Sequence, residues 1–290
     1  HNLLIGVPLS VDMLGSVGVR PTPPHHKVRG MCDCEPTRRE AFGRAAVVGA
    51  ALVIGRSLAA ASSAHAAPPA VPAIEVMPGL AISPRAAWGA DLPPKGPIRT
   101  ERPQFLLVHH TASPSNYANS RDVIRSVFGF HTSAAKGWND VCYQFFVGRN
   151  GDVWEGRAGA LAGPVEADAT GGSQGFAQLV CLLGDFTSAP PTAAALTATT
   201  KVLAWLADRY RFDGSPTATT TFVSRGSDKF KAGTTVTTPI IAGHRDMTFT
   251  GCPGDAFYPL LPSLRTRVAA QRAQWAGVMR PAVRLGRVTL

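Results

Sequence analysis

The chain has 290 residues, of which 45% are hydrophobic, and a formal net charge of +10 at pH 7. These values fit a globular chain of one or two domains and exclude a chain too polar to bury a core. Its Lys and Arg residues form no stripe interleaved with aromatic residues, so the charge predicts no nucleic-acid partner and suits an anionic cell envelope equally well.

The region before residue 67 is typical of an export signal. Paired arginines, Arg38-Arg39, precede a short apolar run, and small residues follow up to an A-x-A pattern at 64–66. We therefore predict a Tat-like signal peptide at 31–66 and an exported protein, extracellular or associated with the cell wall, without a stable membrane span after processing. Residues 1–30 are predicted to be a disordered extension upstream of a start at Met31. Sec export and a buried Ala-rich helix are the alternatives.

The rest of the chain is predicted to form a single folded domain with flanking segments. Composition predicts a Pro-rich linker at 67–100, a domain at 101–275 and a C-terminal tail at 276–290. Within the domain, the apolar run 105–108 predicts a buried strand that delivers His109-His110 at its end. Ser120 is the predicted N-cap of the helix that follows.

The next elements are short strands and one long helix. A strand at 142–147 turns at Asn150-Gly151, a strong hairpin signal, into a second strand at 153–155. The apolar run 176–183 predicts another buried strand. Residues 192–210 predict a long helix with one inward apolar stripe.

The final third of the domain begins with a polar insertion. Residues 212–238 are rich in Thr, Ser and Gly, and alternation at 219–223 indicates a β-ribbon. A last strand at 239–243 leads directly to His244, and a helix at 256–271 closes the domain. Strands mixed with packing helices predict an α/β (α+β) fold with a single mixed central sheet.

Two histidines and a cysteine stand where strands end. His109 follows one predicted strand, His244 follows another, and Cys252 comes eight residues later. Two imidazoles and one thiolate supply three positions of a tetrahedral Zn²⁺ site and leave the fourth for water, which is the pattern of a catalytic site. Singly, each residue has an ordinary alternative, a hydrogen-bonded structural histidine or a small buried cysteine.

Cysteine usage agrees with a thiolate ligand. Five cysteines in a chain of this length do not make a disulfide-dense scaffold. Cys32 and Cys34 precede the predicted cleavage site, so an odd number remains after processing. Whether Cys142 and Cys181 pair depends on a Cα separation that the sequence does not give.

Four motifs occur in a characteristic order. They are Val108-His109-His110-Thr111, Trp138-Asn139-Asp140-Val141-Cys142-Tyr143, Trp154-Glu155-Gly156-Arg157, and the segment 244–254. Over about 83–271 the chain resembles peptidoglycan recognition proteins and the type-2 N-acetylmuramoyl-L-alanine amidases. The resemblance implies the fold of that family, peptidoglycan as substrate, and Zn²⁺ held by His109, His244 and Cys252.

The same resemblance implies roles for the neighbouring side chains. Tyr143 and Thr250 match residues that stabilise the oxyanion of the hydrolysed amide, a role that suits their hydroxyl donors. His131 and Trp138 match positions that line the substrate groove, and Arg157 is placed to face carboxylates of the peptide stem. The chain departs from the family pattern at 159–162, where Leu161 replaces a histidine that is not a metal ligand.

Three other functions compete with an amidase. A recognition module of the same family binds muropeptides without cutting them, and such modules typically lack the cysteine ligand. L,D- and D,D-peptidases of the envelope usually include a carboxylate among their zinc ligands. A thiol enzyme would require Cys252 to be an accessible nucleophile beside His244.

Overall fold

The structure, a computed structural model, describes residues 71–283. The predicted signal peptide at 31–66 and the extension at 1–30 lie outside the described residues. Between residues 71 and 283, no helix has both the length and the apolar character needed to cross a bilayer. The strands are β1 (Ile74–Met77), β2 (Leu80–Ile82), β3 (Phe105–His110), β4 (Phe145–Val147), β5 (Val153–Glu155), β6 (Ala177–Leu182), β7 (Thr219–Val223), β8 (Thr235–Pro239) and β9 (Ile241–Gly243). The α-helices are α1 (Ala86–Gly89), α2 (Ser120–His131), α3 (Ala193–Arg209) and α4 (Leu261–Val283).

A mixed five-stranded sheet forms the centre of the domain, which confirms the predicted α/β class. The strand order is β5-β4-β6-β3-β9, with β5 antiparallel to β4 and the other neighbours parallel. β3 lies between β6 and β9, and all six of its residues are buried. A parallel strand covered on both faces needs apolar residues at every position, which explains the unbroken run in its sequence.

Side chains alternate across β3 and so belong to two different cores. Leu106 and Val108 pack in the core that contains α3 and α4. Phe105 and Leu107 pack in the second core, together with α2 and the β7–β8 hairpin. Because successive residues of a strand point to opposite faces, His109 lies on the α2 side of the sheet.

The helices α2 and α3 begin at polar caps, and the cap of α2 lies one residue before the predicted position. Asn119, not Ser120, caps α2, and its side-chain oxygen accepts from the backbone N–H of Arg121 at 2.9 Å. Asn and Ser are equally good caps, so adjacent candidates leave the boundary undecided by sequence. Thr192 caps α3 by accepting from the N–H of Ala195 at 3.1 Å, as the predicted start at 192 implies.

The β4–β5 hairpin forms as predicted, but β4 is shorter than expected. Gly151 has a φ of +85°, which glycine adopts without strain, and β4 and β5 pair antiparallel across the turn. Residues 142–144 lie outside the strand. The side chain of Gln144 accepts from the N–H of Leu179 at 2.7 Å, in place of a carbonyl of a strand ladder.

The polar insertion forms the predicted β-ribbon. β7 and β8 pair antiparallel, and Phe222 lies opposite Val236. Both side chains are buried against the α2-side core. We call β7, β8 and the intervening residues 224–234 the arm.

The folded domain extends beyond both predicted boundaries. The segment 67–100, predicted to be a linker, contains β1, β2 and α1, and Ile82 and Trp88 are fully buried. The indole N–H of Trp88 donates to the carbonyl of Glu155 at 2.7 Å. α4 also continues to Val283, into the predicted tail. Proline and glycine content restricts the backbone but does not reveal a distant pocket that receives a side chain.

Candidate metal centre

Strand register brings His109 and His244 together. Val108 of β3 lies opposite Gly243 of the parallel strand β9. The residues that follow them, His109 and His244, therefore stand at the same edge of the sheet. The two imidazole ring centroids are 4.3 Å apart. Both side chains are buried, with exposed fractions of 0% and 2%.

Cys252 returns to this point through the turn that follows His244. The N–H of Arg245 donates to the carbonyl of Cys252 at 3.1 Å and closes the turn. The sulfur of Cys252 accepts from the N–H of His110 at 3.4 Å and lies 3.6 Å from Nδ1 of His109. A backbone N–H directed at the sulfur stabilises negative charge there, which is the charge of a ligating thiolate.

The three donors fit one metal ion. One donor atom each from His109, His244 and Cys252 can be chosen so that all lie within 4.8 Å of one another. Tetrahedral geometry with ordinary Zn–N and Zn–S bond lengths separates neighbouring donor atoms by about 3.5 Å. The observed 3.6 Å between His109 Nδ1 and Cys252 Sγ matches this value. The structure therefore brings together the three residues that the sequence predicts as metal ligands. Three protein ligands would leave one tetrahedral coordination position for another group.

The two predicted oxyanion-stabilising residues flank these donors. Tyr143 is fully buried, and its ring centroid lies 5.2 Å from that of His109. The hydroxyl of Thr250 accepts from the N–H of Cys252 at 3.2 Å. Thr250 therefore contacts the candidate ligand Cys252, and Tyr143 lies next to the candidate ligand His109. The catalytic roles of both residues stay predictions.

A series of rings leads from the donors toward the surface. The ring centroid of His131, the last residue of α2, lies 5.7 Å from that of Tyr143 and 4.8 Å from that of Trp138. His131 is fully buried, whereas Trp138 is half-buried. Nδ1 of His131 accepts from the N–H of Cys142 at 3.2 Å, which places the proton of the neutral ring on Nε2. Contact of His131 and Trp138 with a substrate stays a prediction.

Arg157 is held by partners within the domain. Its guanidinium donates to the carboxylate of Asp168 and, at 3.1 Å, to the carbonyl of Val141. Only 5% of Arg157 is exposed. The predicted contact with carboxylates of a peptide stem would require this group to leave Asp168, so the contact stays a prediction.

Arg85 supports the site and was not singled out from the sequence. Its guanidinium pairs with Asp140 at 2.9 Å and stacks 4.5 Å from the Trp88 ring. Burial raises the pKa of Asp140, while the N–H of Ala158 and the charge of Arg85 oppose that rise. This pair joins α1 to the segment that carries Tyr143. Arg85 follows a Ser-Pro pair and belongs to no recognisable motif. Only its contacts in the folded chain therefore show that it supports the site.

Asp246 orients the turn that begins at His244. Its carboxylate accepts from the N–H of Gly243 at 2.8 Å and from the hydroxyl of Tyr258. Burial, reinforced by the hydrogen bond to Asp246, raises the pKa of Tyr258 to about 12, so the phenol keeps its proton as donor. The backbone entering His244 is thereby held from the side opposite β3.

A family model described as N-acetylmuramoyl-L-alanine amidase matches residues 99–255, a range that includes all three donors. This chain belongs to the N-acetylmuramoyl-L-alanine amidase family. The predicted resemblance is thus confirmed at the level of the family.

Individual members of this amidase family and related recognition proteins are moderately similar. The human N-acetylmuramoyl-L-alanine amidase is 34% identical over 185 residues, covering 61% of this chain and 27% of the human protein. Peptidoglycan-recognition protein LE of Drosophila melanogaster is 33% identical over 124 residues, covering 42% of this chain and 34% of the fly protein. The crystal structure of human PGRP-IBETAC in complex with glycosamyl muramyl pentapeptide aligns with a TM-score of 0.47 and 25% identity, covering 62% of this chain and 93% of that one. The chain spans about a quarter of the length of the mammalian amidases that it matches.

Proposed function

We propose that this domain is a zinc-dependent N-acetylmuramoyl-L-alanine amidase that hydrolyses the lactyl–L-alanine amide bond of bacterial peptidoglycan. The observation that carries the proposal is the cluster of His109, His244 and Cys252 inside a domain of the amidase family. We also propose that the protein is exported and that peptidoglycan muropeptides are its partners. Charge is consistent with this partner, because residues 67–290, with 22 Lys and Arg against 15 Asp and Glu, keep a net charge of +7 and are attracted to an anionic envelope.

The donor set favours Zn²⁺. Two neutral imidazoles and one thiolate are typical zinc ligands, and three protein ligands are the number found in catalytic rather than structural sites. A bound zinc ion would polarise the scissile carbonyl and lower the pKa of a water molecule to about 7. His109 and Cys252 are fully buried, and in such surroundings the attraction between a bound cation and a thiolate is stronger than in bulk water.

Tyr143 and Thr250 are proposed to stabilise the carbonyl oxygen as it becomes negative. Thr250 uses an oxygen lone pair to accept from the N–H of Cys252, a bond that leaves its hydroxyl proton for another acceptor. The phenol of Tyr143 is a second donor beside His109. Preorganised donors of this kind contribute a few kcal/mol each to transition-state stability, because they need no reorientation during the reaction.

Glu155 serves as an anchor in this scheme. One oxygen of its carboxylate accepts from the N–H of Arg85 and the other from the N–H of Leu161, both at 2.9 Å. A carboxylate that accepts two buried backbone donors holds neighbouring segments together. We therefore assign it to structure rather than to proton transfer.

The observed donors also weigh against the competing functions. A binding module without activity typically lacks the cysteine, and here Cys252 stands 3.6 Å from His109. A peptidase of the L,D or D,D class would typically add a carboxylate to the ligand set, and the cluster among the described residues consists of two histidines and one cysteine. A thiol enzyme needs an accessible sulfur, whereas Cys252 is fully buried.

Digestion of purified sacculi tests the proposal. We expect the wild-type protein to contain about one zinc ion and to release glycan strands with free lactyl groups and peptides that begin with L-Ala, both detected by mass spectrometry. Cys252→Ala removes the thiolate, so we expect loss of zinc and of product. Cys181→Ala, a buried cysteine opposite His109 on β6, is the matched control and should keep both. Full activity of Cys252→Ala, or cleavage at another bond, would contradict the proposal.

A further inference from the structure

The arm is anchored on the sheet face that also carries His109. The rings of Phe222 on β7 and Phe105 on β3 have centroids 5.2 Å apart. Val236, opposite Phe222 on β8, is 5% exposed. Because Phe105 and His109 lie four positions apart on the same strand, they share a face, and the arm packs on the face of the sheet that carries His109.

The tip of the arm, residues 225–231, contacts the loop 245–251, which separates the metal-ligand candidates His244 and Cys252. Ser227 donates through its hydroxyl to the carbonyl of Met247 at 2.8 Å. The carboxylate of Asp228 accepts from the hydroxyl of Thr248 and, at 3.0 Å, from the N–H of Phe249. Three bonds from two adjacent tip residues therefore hold three consecutive residues between His244 and Cys252.

A third tip residue contacts the same loop nearer to His244. The ammonium of Lys229 donates to the carbonyl of Arg245 at 2.8 Å. Arg245 in turn donates through its N–H to the carbonyl of Cys252 at 3.1 Å. The tip is thus connected to the backbone of a metal donor through one intervening residue.

The tip also fits closely against a glycine turn on its other side. The N–H of Arg225 donates to the carbonyl of Gly172 at 2.8 Å. A Cβ at Gly172 would stand 2.9 Å from the carbonyl oxygen of Gly226, and one at Gly171 would stand 3.0 Å from Cβ of Met247. Glycine at these positions lets the turn, the tip and the loop approach one another closely.

We propose that Asp228, assisted by Ser227, is a positioning residue that holds the loop 245–251 in the conformation required for metal binding. The inference rests on the proposed zinc amidase function. Phe249 is followed at once by Thr250 and three residues later by Cys252, so a bond at the Phe249 N–H fixes the direction in which the chain approaches the metal. Without this hydrogen bond, zinc binding must also order the loop, and the free energy spent on ordering lowers the zinc affinity.

Zinc affinity measured by competition with a chromophoric chelator tests this role. We expect Asp228→Ala to weaken zinc binding about tenfold, the size of effect seen when groups that orient metal ligands are removed. Ser227→Ala, which removes one neutral hydrogen bond, should weaken it by about two- to fivefold. Asp228→Asn keeps the accepting Oδ1 and should restore near wild-type affinity. Lys231→Ala, at an exposed residue of the same tip, is the matched control.

Cobalt-substituted protein provides a readout that general loss of stability would not alter. We expect the thiolate-to-cobalt absorption band of Asp228→Ala to shift or weaken, and that of Asp228→Asn to match the wild type. Unchanged affinity and spectrum in both Asp228→Ala and Ser227→Ala would overturn the inference. If Asp228→Ala does not fold, unchanged affinity in Ser227→Ala or clearly weakened affinity in Asp228→Asn would overturn it. A wild-type protein that binds zinc but cuts no sacculi would refute the proposed function alone. A wild-type protein that binds no zinc would refute both.

Discussion

At the scale of single residues, the candidate site consists of imidazole and hydroxyl groups arranged around one sulfur atom. Cys252 accepts from the backbone of His110 and is joined through its own N–H to Thr250. Each of these bonds uses backbone groups, so the sulfur position follows from the path of the chain more than from side-chain rotamers. We therefore expect the position of the sulfur to be sensitive to changes in the loop that carries the cysteine.

Tyr143→Phe separates catalysis from metal binding. The phenol neighbours His109 but is absent from the donor set, so we expect the variant to keep its zinc. Loss of one oxyanion donor should lower kcat about 100-fold. Initial rates on soluble muropeptides and zinc content by atomic absorption would be measured together. Loss of zinc in Tyr143→Phe would contradict the assigned role.

At the scale of elements, the segment before the central sheet is an integral part of the folded domain. α1 buries Trp88 against α2, with the rings of Trp88 and Phe128 6.1 Å apart. Arg85, just before α1, pairs with Asp140 and so reaches the segment that carries Tyr143. The short helix thus supports one wall of the candidate site from outside the sheet.

Trp88→Ala tests whether α1 belongs to the folded domain. Loss of a fully buried indole and of its bond to the Glu155 carbonyl should lower the free energy of unfolding by about 3–5 kcal/mol. Ile74→Ala, at a side chain that is 49% exposed, should change it by no more than about 0.5 kcal/mol. Urea denaturation of both variants provides the comparison. Equal stability of the two would show that α1 packs only loosely.

At the scale of the whole molecule, a buried carboxyl connects the sheet, a loop and a helix end. Glu101 accepts from the side chain of Gln178 on β6 at 2.7 Å. The same glutamine accepts from the hydroxyl of Tyr210 at the end of α3, at 3.4 Å. Burial, together with the charge of Glu166, raises the pKa of Glu101 to about 8, whereas the Gln178 bond and the charge of Arg157 oppose the rise.

This raised pKa predicts how stability depends on pH. Glu101 is protonated in the folded state up to about pH 8, but in the unfolded chain it ionises near its ordinary value of 4.5. Its contribution is therefore fully present below pH 4.5 and is lost as the pH rises toward 8, by at most about 1.4 kcal/mol per pH unit. Glu101→Gln should flatten the loss measured by urea denaturation between pH 5 and 8, whereas Glu75→Gln, at an exposed position, should not. An identical slope in wild type and Glu101→Gln would rule out this carboxyl as the cause.

Much of the architecture could be predicted because its determinants are local. The apolar run that became β3, the Asn150-Gly151 hairpin and the alternation that became β7 are patterns of neighbouring residues. The shortened β4 and the displaced cap of α2 were missed, since the Gln144 side chain and two adjacent capping residues compete with the regular pattern.

The sequence by itself determined which residue types are available for the chemistry: two histidines at strand ends, a cysteine beyond them, and hydroxyl groups in the same motifs. Donor chemistry and hydrophobic period belong to a residue and its neighbours, so they can be read along the chain. Only the tertiary structure decided that His109 and His244 stand side by side, that Trp88 enters the core, and that Asp228 holds the loop before Cys252. Those facts depend on strand register and on contacts between distant segments, which local pattern does not specify.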